Sequence, residues 1–340
     1  MFGYQMNEYD KQVYQNEIEN FLPDKIIDAH MHVYLKEFAR ETERSKALVS
    51  WTEKVAQDCS IEDLEQTYRD MFPGKQVTPV IMGNPTSDLV KTNSYITNLI
   101  HNGHYNAYYC TSFDTPLDEI RHAIVNLGYC GIKPYLSNAP AYIPGDEVRI
   151  FDFLPQEHLQ LMNELKGTVM LHIPRSGRLK DPVNLMQILE IEHNYPDLQL
   201  IVAHVGRAYA PEDIGNAFEL LKETKNLVFD FCANTQYKAM EECLKAVGPQ
   251  RLLFGTDLPV LKMRMRRVTE SGVYYNIVPK GLYGDVSGDY HMRETETEQL
   301  TCFAYEEIRA FKKAAQACQL SKKDIEDVFY NNALRIFWNR

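Results

Sequence analysis

The segment Asp28-Ala29-His30-Met31-His32 places two imidazoles two residues apart in an apolar, strand-like setting. Side chains at i and i+2 leave a strand on the same face, so His30 and His32 can reach one ion together. Neutral imidazoles suit zinc and other first-row divalent metals. Three further apolar runs end in the same way: TVMLHIP with His172, LQLIVAHVG with His204 and LLFGTDLP with Asp257. Each run passes from a hydrophobic core into one metal-capable side chain and then into Pro or Gly. Two histidines alone could be ordinary packing residues. Four strand ends carrying such groups point instead to a metal that acidifies water to a pKa of about 7 and polarises an electrophile.

These groups need a scaffold that brings four strand ends together. Short β-branched or aromatic runs predict strands at 26–33, 77–83, 105–112, 129–136, 168–174, 198–206, 227–233 and 252–259. Between them the pattern predicts helices at 88–101, 117–126, 156–166, 182–193, 211–223 and 236–247. Strands alternating with helices imply parallel βαβ units. The fold class expected is therefore α/β, a (β/α)8 TIM barrel, with an open doubly wound sheet as the competitor. The barrel is preferred because its strand ends converge at one mouth, where active sites sit.

Three segments lie outside the eight units. Residues 1–24 read as an N-terminal helix, 35–72 as a long first crossover containing the helix 61–71, and 261–298 as a late insertion after strand eight. That insertion is either a lid over the mouth or an arm between subunits. Helical patterns at 300–319 and 322–338 close the chain. One domain spanning 1–340 is expected, with its core at about 24–338.

HxH on the first strand, His on the fifth and sixth, and Asp on the eighth resemble the amidohydrolase superfamily. The words IIDAHMHVY, GIKPYL, LIVAHVGR, LLFGTDLPV and YNNALRIF look most like its amidohydrolase-related branch, which includes predicted metal-dependent hydrolases and aminocarboxymuconate semialdehyde decarboxylase. The resemblance implies that His30, His32, His172 and Asp257 ligate one divalent ion, zinc or manganese. It sets His204 beside the ion's water and gives Asp257 and His204 the catalytic proton transfers. It also draws in Lys133 of GIKPYL: in binuclear relatives a strand-four lysine bridges two metals, and here Lys133 either does so or meets an anionic substrate group. Three functions follow. The first is hydrolysis of an amide, ester or lactone; the alternative is nonoxidative decarboxylation; the last is a metal-binding barrel without catalysis.

Arg175 and Arg207 each follow a histidine motif by three residues, and guanidinium groups there suit a carboxylate or phosphate. Tyr135 and Asn234 lie just past strands and complete the expected substrate-binding set, while Asp28 is read as lying deeper on the His30 face, either as a carboxylate supporting the histidines or as a structural one. The net charge of −11 argues against nucleic acid as a partner, leaving a small, anionic substrate. There is no run long enough to cross a bilayer. The N-terminus lacks the basic start and apolar stretch of a secretion signal, and the seven cysteines include no CxxC pair. A cytoplasmic chain is expected, and a homo-oligomer formed through 1–24 or 261–298 is the partner hypothesis.

Overall fold

The apolar runs become parallel strands because both faces of each are covered, one by the barrel interior and the other by helices. The computed structural model describes residues 5–40, 55–103, 105–297 and 299–339. Its strands are β1 (Lys25–His32), β2 (Gln76–Met82), β3 (Asn106–Thr111), β4 (Gly131–Pro134), β5 (Thr168–Leu171), β6 (Gln199–Val202), β7 (Val228–Asp230) and β8 (Leu252–Leu253). They hydrogen-bond in chain order, β1 to β8. The segment after β8 then returns to β1: Ala29 N–H donates to Phe254 O, Thr256 and Asp257 N–H to His30 O, and His32 N–H to Leu258 O. The protein is a (β/α)8 barrel.

The helices between strands are α2 (Ile61–Met71), α3 (Leu89–Gly103), α4 (Leu117–Asn126), α5 (Gln156–Glu164), α6 (Pro182–Asn194), α7 (Ala217–Leu221) and α8 (Tyr237–Val247), preceded by α1 (Glu8–Val13). After the barrel come α9 (Phe303–Ala317), α10 (Lys322–Glu326) and α11 (Asn332–Phe337). The interior of the barrel is filled by Ile27, Ala29, Val80, Met82, Tyr108, Met170, Ile201, Val228 and Leu253, and α11 covers this layer with Ala333, Ile336 and Phe337. That leaves the opposite, C-terminal ends of the strands for chemistry. The described cysteines are all free, and every one except Cys318 is buried, as expected of small apolar thiols.

Two expectations are revised. The helix expected at 211–223 is a short 3-10 turn at Pro211–Asp213 followed by α7, because Gly215 takes a left-handed φ of +54° between them. The N-terminal helix α1 runs into a π-helical turn at Tyr14–Ile18, and residues 1–4 of the expected 1–24 helix lie outside the described residues. Residues 41–54 of the first crossover also lie outside them.

The insertion is a small sheet, with β9 (Arg266–Glu270) antiparallel to β10 (Val273–Pro279) and β11 (Met292–Thr295) parallel to β10. Ser271 and Gly272 join β9 to β10 with φ values of +50° and +78°. Positive φ at both central residues is what a two-residue hairpin of the type I′ kind requires. The sheet docks on its own barrel. Arg267 donates from Nη1 to Ala233 O at the end of β7 and from Nε to Asn276 Oδ1. Its guanidinium lies 4.7 Å from the ring centroids of Tyr209 and Tyr274. The barrel thus meets the insertion through a cation set against two aromatic rings that meet edge to face.

His291 belongs to this contact. Its ring stacks on Tyr274 at 3.9 Å, and its Nδ1 lies 2.7 Å from Tyr274 O. Burial lowers its pKa from 6.5, opposed by the Tyr274 hydrogen bond and helped by Arg178; Asp289 opposes the shift and Arg267 adds to it. A histidine with a depressed folded pKa stabilises the docked state above its unfolded pKa, and that stability is lost as pH falls through it. Amides of β9–β11 are therefore expected to exchange hydrogen faster relative to the barrel at a pH of about 5.5 than at about 7.5, across the usual histidine pKa. The difference should vanish in His291→Gln, and equal relative protection at both pH values in the wild type would contradict this reading.

Candidate metal centre

The histidines are set by a bulge in β1. Pairing with β2 shifts register between Asp28 and Met31, and an extra residue in a strand re-aims its neighbours. Asp28 consequently leaves the His30 face. Its Oδ2 accepts from Tyr68 Oη of α2 at 2.7 Å and from Thr256 Oγ1 at 2.5 Å, while Oδ1 accepts from Thr256 N–H at 2.9 Å. Burial raises its pKa to about 6. The expectation that Asp28 shares the His30 face is corrected, and of its two readings these bonds favour the structural one: it ties β1 to the outer helix and to the segment after β8.

His30 and His32 converge on Asp257. Asp257 Oδ1 lies 3.2 Å from His32 Nε2 and 3.7 Å from His30 Nε2, and the ligand atoms of the three residues lie within 4.8 Å of one another. Although burial pushes it up, the hydrogen bond with His32 and the neighbouring His204 and His30 hold the Asp257 carboxyl well below the usual range. It is an ionised acceptor at the barrel mouth. Asp257 sits at φ +50°, a conformation Asp tolerates better than most residues.

His204 enters from an unusual turn. His204, Val205, Gly206 and Arg207 have φ values of +60°, +49°, +61° and +57°, a left-handed turn costing about 1–2 kcal/mol per non-glycine residue. A Cβ at Gly206 would meet Leu179 Cδ1 at 2.5 Å, so only glycine fits there. Strong local bonds offset the strain. Asp230 Oδ1 accepts from His204 N–H at 2.7 Å, and Asn234 Nδ2 donates to His204 O and Ala208 O at 3.0 and 3.1 Å. Arg207 Nη1 donates to Ile173 O and Pro174 O. The turn sets the His204 ring 5.0 Å from that of His30 and 5.2 Å from that of His172.

His172 does not join the tight group of three; it stands behind His204 and against Tyr135, 5.1 Å between ring centroids. Its Nδ1 is buried without a hydrogen-bond partner, the condition in which an imidazole nitrogen gains most from a cation. Lys133 is buried and holds Nζ 3.5 Å from His30 Nε2. Burial lowers its pKa. Burial likewise pushes His30 down to about 4 and lowers His172 and His204, so the imidazoles are neutral donors at pH 7. Neutral histidines, an ionised carboxylate and an orphaned nitrogen fit a first-row divalent ion.

Among the outer residues, the structure separates two pairs. Arg175 Nε is engaged by both oxygens of Asp181 at 3.1 and 3.2 Å, and Asn234 spends its amide on the left-handed turn. Both do structural work in the loops. Arg207 and Tyr135 lie beside the imidazoles instead: Arg207 acts electrostatically on His172 and on Tyr135. The sequence reading missed Asp230, which lies 2.9 Å from His30 Nδ1. Its signal was available, since the run LVFD ends in an acid just as the other strand ends do.

A family model described as Amidohydrolase matches residues 107–338, from β3 to the end of α11. The chain belongs to the amidohydrolase family. The β1 histidines lie ahead of the matched segment. Among solved structures, a zinc-bound amidohydrolase from Burkholderia multivorans is 13% identical, with a TM-score of 0.60 over 92% of this chain and 98% of that one. A probable 2-pyrone-4,6-dicarboxylic acid hydrolase from Acinetobacter baumannii is 17% identical, with a TM-score of 0.58 over 92% and 98%. The 2,6-dihydroxybenzoate decarboxylase from Rhizobium is 14% identical, with a TM-score of 0.55 over 93% and 99%. At these identities the likeness is one of fold. No curated protein gives a significant sequence match. No helix among the described residues is long and apolar enough to cross a membrane.

Proposed function

We propose that this amidohydrolase is a metal-dependent hydrolase of small anionic substrates carrying an amide, ester or lactone bond. The observation that carries the reading is Asp257, a carboxylate kept ionised within 3.2 Å of His32 Nε2 and 3.7 Å of His30 Nε2. His30, His32, His172 and Asp257 hold one divalent ion, with zinc the first choice. The ion supplies Lewis acidity and makes water acidic enough to react at neutral pH. Asp257 accepts the proton, and His204, neutral and close to His30, orients water or polarises the electrophile. Arg207 and Tyr135 present donors to the substrate's negative end, and Lys133 adds a third donor on the β4 side.

Nonoxidative decarboxylation is the second reading. Tyr135 packed on His172, with Arg207 beside both, supports a mouth that holds an aromatic carboxylate. The test is to load purified protein with zinc or manganese and offer two panels, lactones and esters against hydroxybenzoates. Acid release from the first panel is the expected result, and it should disappear after chelation. Carbon dioxide release from the second panel alone would replace hydrolysis by decarboxylation. Metal binding with no turnover in either would favour a barrel that binds its ion without catalysis.

A further inference from the structure

Every histidine that touches the Asp257 group presents Nδ1 to an oxygen acceptor. His32 Nδ1 lies 2.9 Å from Gly83 O, His204 Nδ1 lies 2.8 Å from Cys232 O, and His30 Nδ1 lies 2.9 Å from Asp230 Oδ2. Carbonyl and carboxylate oxygens only accept, so each ring carries a proton on Nδ1; on His30 and His204 this leaves Nε2 as a lone pair, whereas His32 Nε2 lies 3.2 Å from the Asp257 carboxylate. Two of these acceptors are backbone. The third, Asp230, is a fully buried side chain at the end of β7. Its other oxygen is already committed, accepting from His204 N–H at 2.7 Å and Cys232 N–H at 3.2 Å.

We propose that Asp230 is a positioning residue that fixes the tautomer of His30 while anchoring the backbone of His204, so that one carboxylate prepares both rings for the ion. The inference rests on the metal-dependent reading but makes a claim about the protein without metal. Asparagine is the informative substitution, because the two N–H donors of His204 and Cys232 must keep its amide oxygen. Its NH2 then faces His30 Nδ1 and requires that nitrogen to accept. The His30 proton moves to Nε2, where it blocks the lone pair. Alanine removes the acceptor but leaves the ring free to choose its tautomer, while orphaning the His204 N–H.

The two variants therefore reverse order between two measurements. Asp230→Asn is expected to melt above Asp230→Ala in metal-free form, yet to bind zinc less tightly. Loss of the alanine variant's carboxylate should weaken zinc binding about 10–100-fold, the usual range for a carboxylate behind a ligating histidine, and the asparagine variant should fall at least about tenfold further. A merely structural role gives the same order in both measurements and overturns the proposal.

Histidine-selective 15N spectra of metal-free wild type supply a second readout, with the His30 signals assigned by their absence in His30→Gln. Protonated Nδ1 and unprotonated Nε2 are expected, and the reverse pattern overturns the proposal even if a variant fails to fold. Wild type that binds no zinc but shows His30 protonated at Nδ1 would remove the metal reading and leave the role of Asp230 intact.

Discussion

Elemental analysis of His30→Ala/His32→Ala protein is expected to find less than roughly a tenth of the metal carried by wild type, which should hold about one equivalent per chain after purification without chelators. The two imidazoles leave β1 together, and their Nε2 atoms lie 3.7 and 3.2 Å from the Asp257 carboxylate. Without them the remaining groups are Asp257, His172 and His204, beside the buried Lys133. His30 is fully buried against Asp230, so the double variant also loses stability. His32→Ala alone guards against misreading that loss. The His32 side chain is 14% exposed and bonds to the barrel through Gly83 O, so its removal costs only about 1 kcal/mol of fold. That single variant should still lose at least about tenfold in metal affinity. About two equivalents in wild type would raise Lys133 and His204 to ligands of a binuclear centre. No metal after reconstitution with zinc or manganese would overturn the centre altogether.

What could be read from the sequence divides along physical lines. The barrel strands were legible because burial on both faces makes them near-continuous apolar runs, and LQLIVA needs no partner to be recognised. The same logic exposed His172, His204 and Asp257, since a polar group ending such a run is costly unless it has a use. The β1 bulge was not legible: alternation places Asp28 beside His30, and only the register with β2 turns it toward Tyr68. The insertion was legible as a segment, but its sheet was not, for a different reason. Its β9 strand RRVTE is mostly exposed, so it lacks the apolar alternation that marks a strand, although Ser271-Gly272 is a hairpin signal. The long helix expected at 211–223 failed at one residue, Gly215, whose left-handed φ ends one turn before α7 starts the next. Arg175 and Arg207 were indistinguishable in sequence, each three residues past a histidine. In the fold Arg175 pairs with Asp181, while Arg207 leaves the left-handed turn and acts on His172.

Asp257→Asn is expected to lower turnover on any substrate found above by about 10²–10⁴-fold in kcat at saturating metal, and to lower the stability of the metal-free fold at neutral pH. The backbone itself tolerates the change. Asp257 sits at φ +50°, and asparagine is among the few residues enriched in that region. The amide keeps the volume, but it gives up a carboxylate that its histidine neighbours hold well below the usual range, and with it the stability that this depressed pKa contributes at neutral pH. The activity half follows from proton chemistry: a carboxylate accepts a proton at neutral pH and an amide does not. Measuring zinc affinity alongside separates the two roles of the side chain. A loss of kcat that extra metal does not restore marks Asp257 as the proton acceptor, whereas full recovery with excess zinc would reduce it to a ligand. Asp257→Glu then tests reach. Its carboxylate can still accept a proton, but one more methylene displaces it from the position 3.2 Å from His32 Nε2. Partial activity is expected there, because misplacing a catalytic group by about 1 Å costs on the order of 10²-fold. An Asp257→Asn enzyme with wild-type kcat would transfer the proton step to His204, the remaining neutral base beside His30.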